Sequence, residues 1–173
     1  MLKIYVAHAM TGRSKRAVIK ESCAVASCAG TLRTLGYDVR LLDPVVAEGV
    51  KDGKGVIDAS VGDIAKFWKR DKELIREAHV LIDLTGPRKS EGVAHEIGYA
   101  RFALWKPVIR VYPCLSPNSV ARFEDDVIVA TIPEAVYAAL GNWGTLRQRV
   151  MWRLSMLNRS LLRWLLFQVL EFK

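Results

Sequence analysis

SEGVAHEIGYARFALWKPVIRVYP, residues 90–113, packs a helix and a strand into one run. Ile97, Ala100, Phe102, Ala103 and Leu104 read as the end of a helix, and Pro107-Val-Ile-Arg-Val-Tyr112 is the short apolar run of a buried strand. Glu96 breaks the pattern, standing among apolar positions after Ser-Glu-Gly-Val and before Ile-Gly-Tyr-Ala. A helix that starts near Gly92 puts Glu96 in its first turn, where unsatisfied backbone N–H groups and the helix dipole favour an anion. Helix stabilisation alone accounts for an acid there; a catalytic carboxylate is the other reading.

On the N-terminal side, VLIDL is another buried strand, and the helix before it, about Asp63 to Ala78, carries apolar side chains at 64, 67, 68, 74, 75 and 78. The missing rung of that ladder is position 71, occupied by Asp71. An aspartate on an inward stripe is either paired, with Arg70 or Lys72 here, or it changes its protonation state. Farther out, Leu2–Ala7 reads as strand one and Tyr37–Leu42 as strand two, with a helix between them ended by Gly36. A loop marked by Pro44, Gly49, Gly53, Gly55 and Gly62 follows strand two, and DVIVATI is strand five. Such alternation predicts an α/β fold with a parallel sheet of about five strands covered on both faces. Ligands then bind beyond the carboxyl ends of the strands, which brings together AHAMTGR, the glycine-marked loop and TGPRKSEG. None of these is a dinucleotide fingerprint or a phosphate loop, so redox-cofactor and nucleotide-triphosphate chemistry lose their sequence support.

The 173 residues suit one core, with a formal charge of +8 that favours anionic ligands. Much of the surplus lies in the last thirty residues, where Arg147, Arg149, Arg153, Arg159, Arg163 and Lys173 face one acid, Glu171. MLKIYVAHAM enters a strand with no apolar leader or cleavage site, so a cytoplasmic location is expected. Cys23, Cys28 and Cys114 have neither disulfide nor zinc spacing, and His8, His79 and His95 lack metal-ligand spacing, so no metal is expected.

SEGVAHEIGYA, preceded by RDKELIREAHVLIDL and followed by KPVI, resembles the nucleoside 2-deoxyribosyltransferase family and its nucleotide N-hydrolase relatives. The likeness spans roughly residues 3–132, and KIYVAHAMTG is similar to the family's first strand and substrate loop. It implies a flavodoxin-like doubly wound sheet, a homodimer or larger homo-oligomer, a nucleoside or nucleotide as small-molecule partner, and no cofactor or metal. By position, Glu96 matches the family's nucleophile, which attacks C1′ of the sugar, and Asp71 its acidic partner. Ser90 stands where typical transferases carry an aspartate near the sugar 5′-hydroxyl, and the monophosphate hydrolases resemble this chain in having serine there. A hydroxyl and nearby N–H groups can donate to a 5′-phosphate that a carboxylate would repel. The resemblance therefore implies substrate contacts from Ser90 and Gly92 and from the first-loop residues His8, Thr11, Gly12 and Arg13. Ser116 and Ser119 resemble the region from which a neighbouring subunit completes the phosphate site, though turn-forming serines read the same way.

The resemblance gives a domain over 1–142 and leaves 143–173 as a basic amphipathic segment. From Thr145 no glycine or proline interrupts a long helical pattern, and its arginines exclude a conventional membrane span. Leu154, Leu157, Leu161, Trp164, Leu165 and Val169 form a stripe suited to packing on the core or a subunit, or to peripheral membrane contact. Nucleic acid is disfavoured, because no aromatic-basic motif accompanies the charge. The sequence thus predicts an N-glycosidase, with hydrolysis of a monophosphate ahead of base exchange on a free nucleoside, or alternatively a non-catalytic nucleotide-binding module.

Overall fold

The computed structural model describes residues 1–10, 13–47, 61–86, 90–112 and 127–144. Five parallel strands form one sheet: β1 (Leu2–Ala7), β2 (Val39–Leu42), β3 (Val80–Asp83), β4 (Val108–Val111) and β5 (Val127–Val129). Their order is β2-β1-β3-β4-β5, the flavodoxin-like arrangement, with its topological switch point between β1 and β3. Along the sheet Ala7 is the register partner of Asp83, which is in turn the partner of Arg110. The predicted α/β class and parallel sheet are therefore those observed.

The helices are α1 (Lys15–Thr34), α2 (Pro44–Ala47), α3 (Val61–Glu77), α4 (Glu91–Gly98) and α5 (Ile132–Gly144). α1 begins where Ser14 Oγ accepts from Ala17 N–H, and Gly36, in the left-handed region at φ 87°, turns the chain after it. The main core lies where α3 and α4 cover one face of the sheet: Ile75, Ala78, Val93, Ile97 and Ala100 close over Tyr5, Ala7, Leu81 and Val108. Full burial of an aliphatic side chain of this size contributes about 1.5–3 kcal/mol, so this layer fixes the two helices firmly against the strands. Val18 of α1 packs with Val45, Met10 and Ile19.

Three elements differ from the sequence expectation. Pro44 opens a one-turn helix instead of marking a loop, because Asp43 Oδ1 accepts from Val45 N–H at 2.8 Å and proline suits the first helical position. α4 passes into a π-helical segment, Tyr99–Ala103, ended by Trp105 at φ 55°. α5 follows a capping box: Glu134 Oε2 accepts from Ala130 and Thr131 N–H at 2.9 and 3.2 Å, and Thr131 Oγ1 accepts from Glu134 N–H at 3.4 Å.

The chain divides into two compact units, Met1–Ala139 and Leu140–Lys173. The helix expected from Thr145 onward lies outside the described residues, as does Cys114. No helix among the described residues is long and apolar enough to cross a membrane, and no cluster among them is suited to a metal ion.

Candidate active site

Two groups of ionisable side chains gather toward the carboxyl end of the sheet, one on each face. On the α3/α4 face, Val93, Glu96, Ile97 and Ala100 form the buried stripe running from α4 into the π-helical segment, and Glu96 is only 8% exposed. α4 begins at Glu91, one residue earlier than expected, with Ser90 as its N-cap. That corrects the reading of Glu96: it lies in the second turn, and its burial follows from the inward stripe rather than from orphan N–H groups at the terminus. Ser90 Oγ accepts from Val93 N–H at 3.4 Å, which leaves its own O–H proton available to an acceptor. Gly92 is exposed in the first turn, and a side chain there would meet nothing within 4 Å, so packing does not account for the glycine.

Asp71 continues the stripe of Ile75 and Ala78 one turn earlier on α3, as its spacing predicts. Trp68 fixes this helix against α4 through edge-on contacts to His95 and Tyr99, with ring centres 6.1 and 6.3 Å apart. The Lys72 ammonium lies 4.9 Å from the centre of the Trp68 ring, and Asp71 forms no ion pair with Lys72 or Arg70 among the described residues. Its Oδ1 is buried and has no hydrogen-bond partner among them either. Burial raises the Asp71 pKa to about 6, with the Arg70 charge opposing it weakly. A carboxyl poised there can give and take a proton near neutrality.

On the α1 face the groups are balanced. His8, 5% exposed, presents Nε2 at 3.3 Å from Asp43 Oδ1 and Nδ1 at 3.7 Å from Glu21 Oε2. Arg13 clasps the same Glu21 with both arms, at 2.5 and 2.7 Å, and Ser22 Oγ donates to Asp43 Oδ2 at 2.6 Å. Burial disfavours a charged ring, but the two carboxylates outweigh it and raise the His8 pKa. Against their own burial, the facing cations lower Glu21 to about 2 and push Asp43 below its ordinary range. The predicted substrate residues His8 and Arg13 are thus brought together around Glu21. Thr11, Gly12, Ser116 and Ser119 lie outside the described residues.

No protein-family model and no curated protein matches the chain. Among solved structures it is similar to a 2-deoxyribosyltransferase from Bacillus psychrosaccharolyticus, at 21% identity and a TM-score of 0.54, over 76% of this chain and 88% of that one. It is also similar to a conserved protein from Enterococcus faecalis V583, at 20% identity and a TM-score of 0.52, over 82% of this chain and 99% of that one. The chain has the 2-deoxyribosyltransferase fold.

In a 2-deoxyribosyltransferase fold the crevice at the switch point is bounded by the ends of β1 and β3; at the end of β3 and on its neighbour β4, sequence reading missed three polar residues. Asp83 closes β3 at 2% exposure and accepts from Thr85 N–H at 2.8 Å. Thr85 Oγ1 is buried without a hydrogen-bond partner among the described residues, so it can exchange one with a ligand. Arg110, beside Asp83 in the ladder, is buried at 3% exposure. The signal was present in VLIDL and PVIRVY: a charged residue inside a strand buried on both faces needs a reason.

Proposed function

We propose that this chain is an N-glycosidase acting on a (2′-deoxy)nucleoside 5′-monophosphate, with Glu96 as nucleophile and Asp71 as proton donor. Glu96 attacks C1′, forming a C1′–O ester bond while the C1′–N bond breaks and the Asp71 proton goes to the departing base. Water then attacks C1′, its proton returns to Asp71, and the sugar leaves Glu96 free. The observation that carries this reading is the pairing, on packed neighbouring helices of a 2-deoxyribosyltransferase fold, of a buried Glu96 with an Asp71 held protonated up to about pH 6. Glycosidic cleavage needs two carboxyl groups, one to attack the sugar and one to hand the proton to the departing base.

Ser90, with the first-turn N–H groups beside Gly92, is assigned to the 5′-phosphate; the free hydroxyl proton of the N-cap and the open side of Gly92 support this. His8, Thr11, Gly12 and Arg13 are assigned to the wall formed by the first loop, and Ser119 to a neighbouring subunit of a homo-oligomer. Base exchange on an unphosphorylated nucleoside is the second reading, favoured by the likeness to a 2-deoxyribosyltransferase.

The test is chromatographic base release from a panel of nucleosides and their 5′-monophosphates, each with and without an added free base. Faster reaction of monophosphates with water as acceptor is expected, and Ser90→Asp shifts preference toward the unphosphorylated compounds. A new nucleoside as main product, formed faster without the phosphate, selects the second reading. No release and no exchange across the panel leaves a nucleotide-binding module.

A further inference from the structure

The connection from β1 to α1 is held at both ends by one carboxylate. Glu21, on the second turn of α1, faces His8 just after β1 at 3.7 Å and receives both arms of Arg13 at 2.5 and 2.7 Å. The other ring nitrogen of His8 meets Asp43 at 3.3 Å, and Asp43 is itself fixed by Ser22 Oγ at 2.6 Å and Val45 N–H at 2.8 Å. Three elements, the end of β1, α1 and the start of α2, therefore meet in one polar knot in which His8 and Asp43 are buried and Glu21 is partly exposed. Among the described residues, the charged side chains facing His8 are Glu21 from α1 and Asp43 from the β2–α2 junction, with Arg13 behind Glu21.

We propose that this knot is a proton-dependent clamp in which protonated His8 holds the end of β1 in place for ligand binding, so that His8 is a positioning residue and not a catalytic one. With His8 protonated the knot carries two cations and two anions. Loss of the proton leaves Arg13 alone against Glu21 and Asp43, a net negative charge on the partly buried cluster. The Asp43 contact then weakens, and with it the hold on the end of β1. Burial by itself would discharge the ring, so the facing acids are what keep it protonated. The ligand-binding consequence rests on the function proposed above; the clamp itself does not.

Two measurements test it separately. In an NMR titration of the full chain, the His8 ring is expected to titrate above the ordinary value of 6.5, and the Arg13 Nε–H resonance to move with the same midpoint. Glu21→Gln should lower that midpoint by roughly one pH unit, as loss of a close opposite charge does. A His8 midpoint at or below 6.5, or an Arg13 signal that ignores it, overturns the clamp; should Glu21→Gln fail to fold, the native titration decides alone. On any substrate that releases base, KM should rise roughly fivefold or more through the His8 midpoint while kcat does not follow it, the low end of coupling between linked sites. A KM that is flat across that midpoint overturns the positioning role even if the clamp titrates as expected.

Discussion

The two faces of the sheet treat buried charge in opposite ways. Around α1, His8, Arg13, Glu21 and Asp43 answer one another, and the acids are driven below their ordinary pKa values. On the α3/α4 face, Asp71 is driven upward, to about 6, because burial outweighs the opposing Arg70 charge. A balanced cluster fixes backbone while its charges stay matched; an unbalanced carboxyl sits ready to exchange a proton. The difference supports a positioning part for the first face and the proposed chemistry for the second.

Glu96→Gln offers the sharpest break. It removes the proposed nucleophile while keeping the side-chain shape, so base release should fall by roughly a thousandfold or more with ligand binding retained, checked by single-turnover kinetics and calorimetry. Asp71→Asn should lower kcat by roughly a hundredfold to ten-thousandfold and abolish a decline of kcat above about pH 6, seen in the pH profile. Its stability should change in the other sense. Because the folded pKa lies above the unfolded 3.8, ionisation opposes folding progressively from about pH 4 to 6. The asparagine variant should therefore melt at a higher temperature than the parent above pH 6, by roughly 2–4 °C for each kcal/mol relieved, and show no gain below pH 4.

Asp43→Asn probes the balanced face. Removing one partner of a buried ion pair should destabilise the fold by about 3–5 kcal/mol in denaturant titration, with turnover per folded molecule changed far less than by Asp71→Asn. The linkage runs oppositely on this face. His8 contributes stability in full below 6.5 and loses it as pH rises through its elevated folded pKa; Glu21 contributes above 4.5 and loses its share as pH falls toward about 2. The knot should thus be strongest between about pH 4.5 and 6.5. Ser90→Ala should be the mildest change, costing about 1 kcal/mol as a lost N-cap and about tenfold in preference for a 5′-phosphate, measured by paired kcat/KM values.

The sheet was readable because each strand is a short apolar run between turn signals, and strand type depends on local pattern. Asp71 was readable for the same reason, as a polar rung in an apolar ladder. The helix α5 carried its signal in Thr131-Ile-Pro-Glu134, a capping box that the expected strand five, DVIVATI, overlapped. The π-helical segment had no such signal; its extra residue per turn is a matter of how α4 packs. The balanced knot was hidden for a different reason. Its members come from a strand end, a loop, a helix and a helix cap, so no spacing in the sequence links His8 to Glu21 and Asp43, and the fold alone joins them.

The most direct test of the division between the faces is to trap the sugar. A 2′-fluoro-arabinosyl nucleotide, whose fluorine slows both formation and breakdown of a glycosyl ester, is incubated with the full chain and the digested protein is weighed by mass spectrometry. The account predicts that the sugar phosphate adds to the peptide carrying Glu96, and that Glu96→Gln prevents it. Base release with the label on Glu21 or Asp43, or with no labelled carboxylate at all, would contradict it.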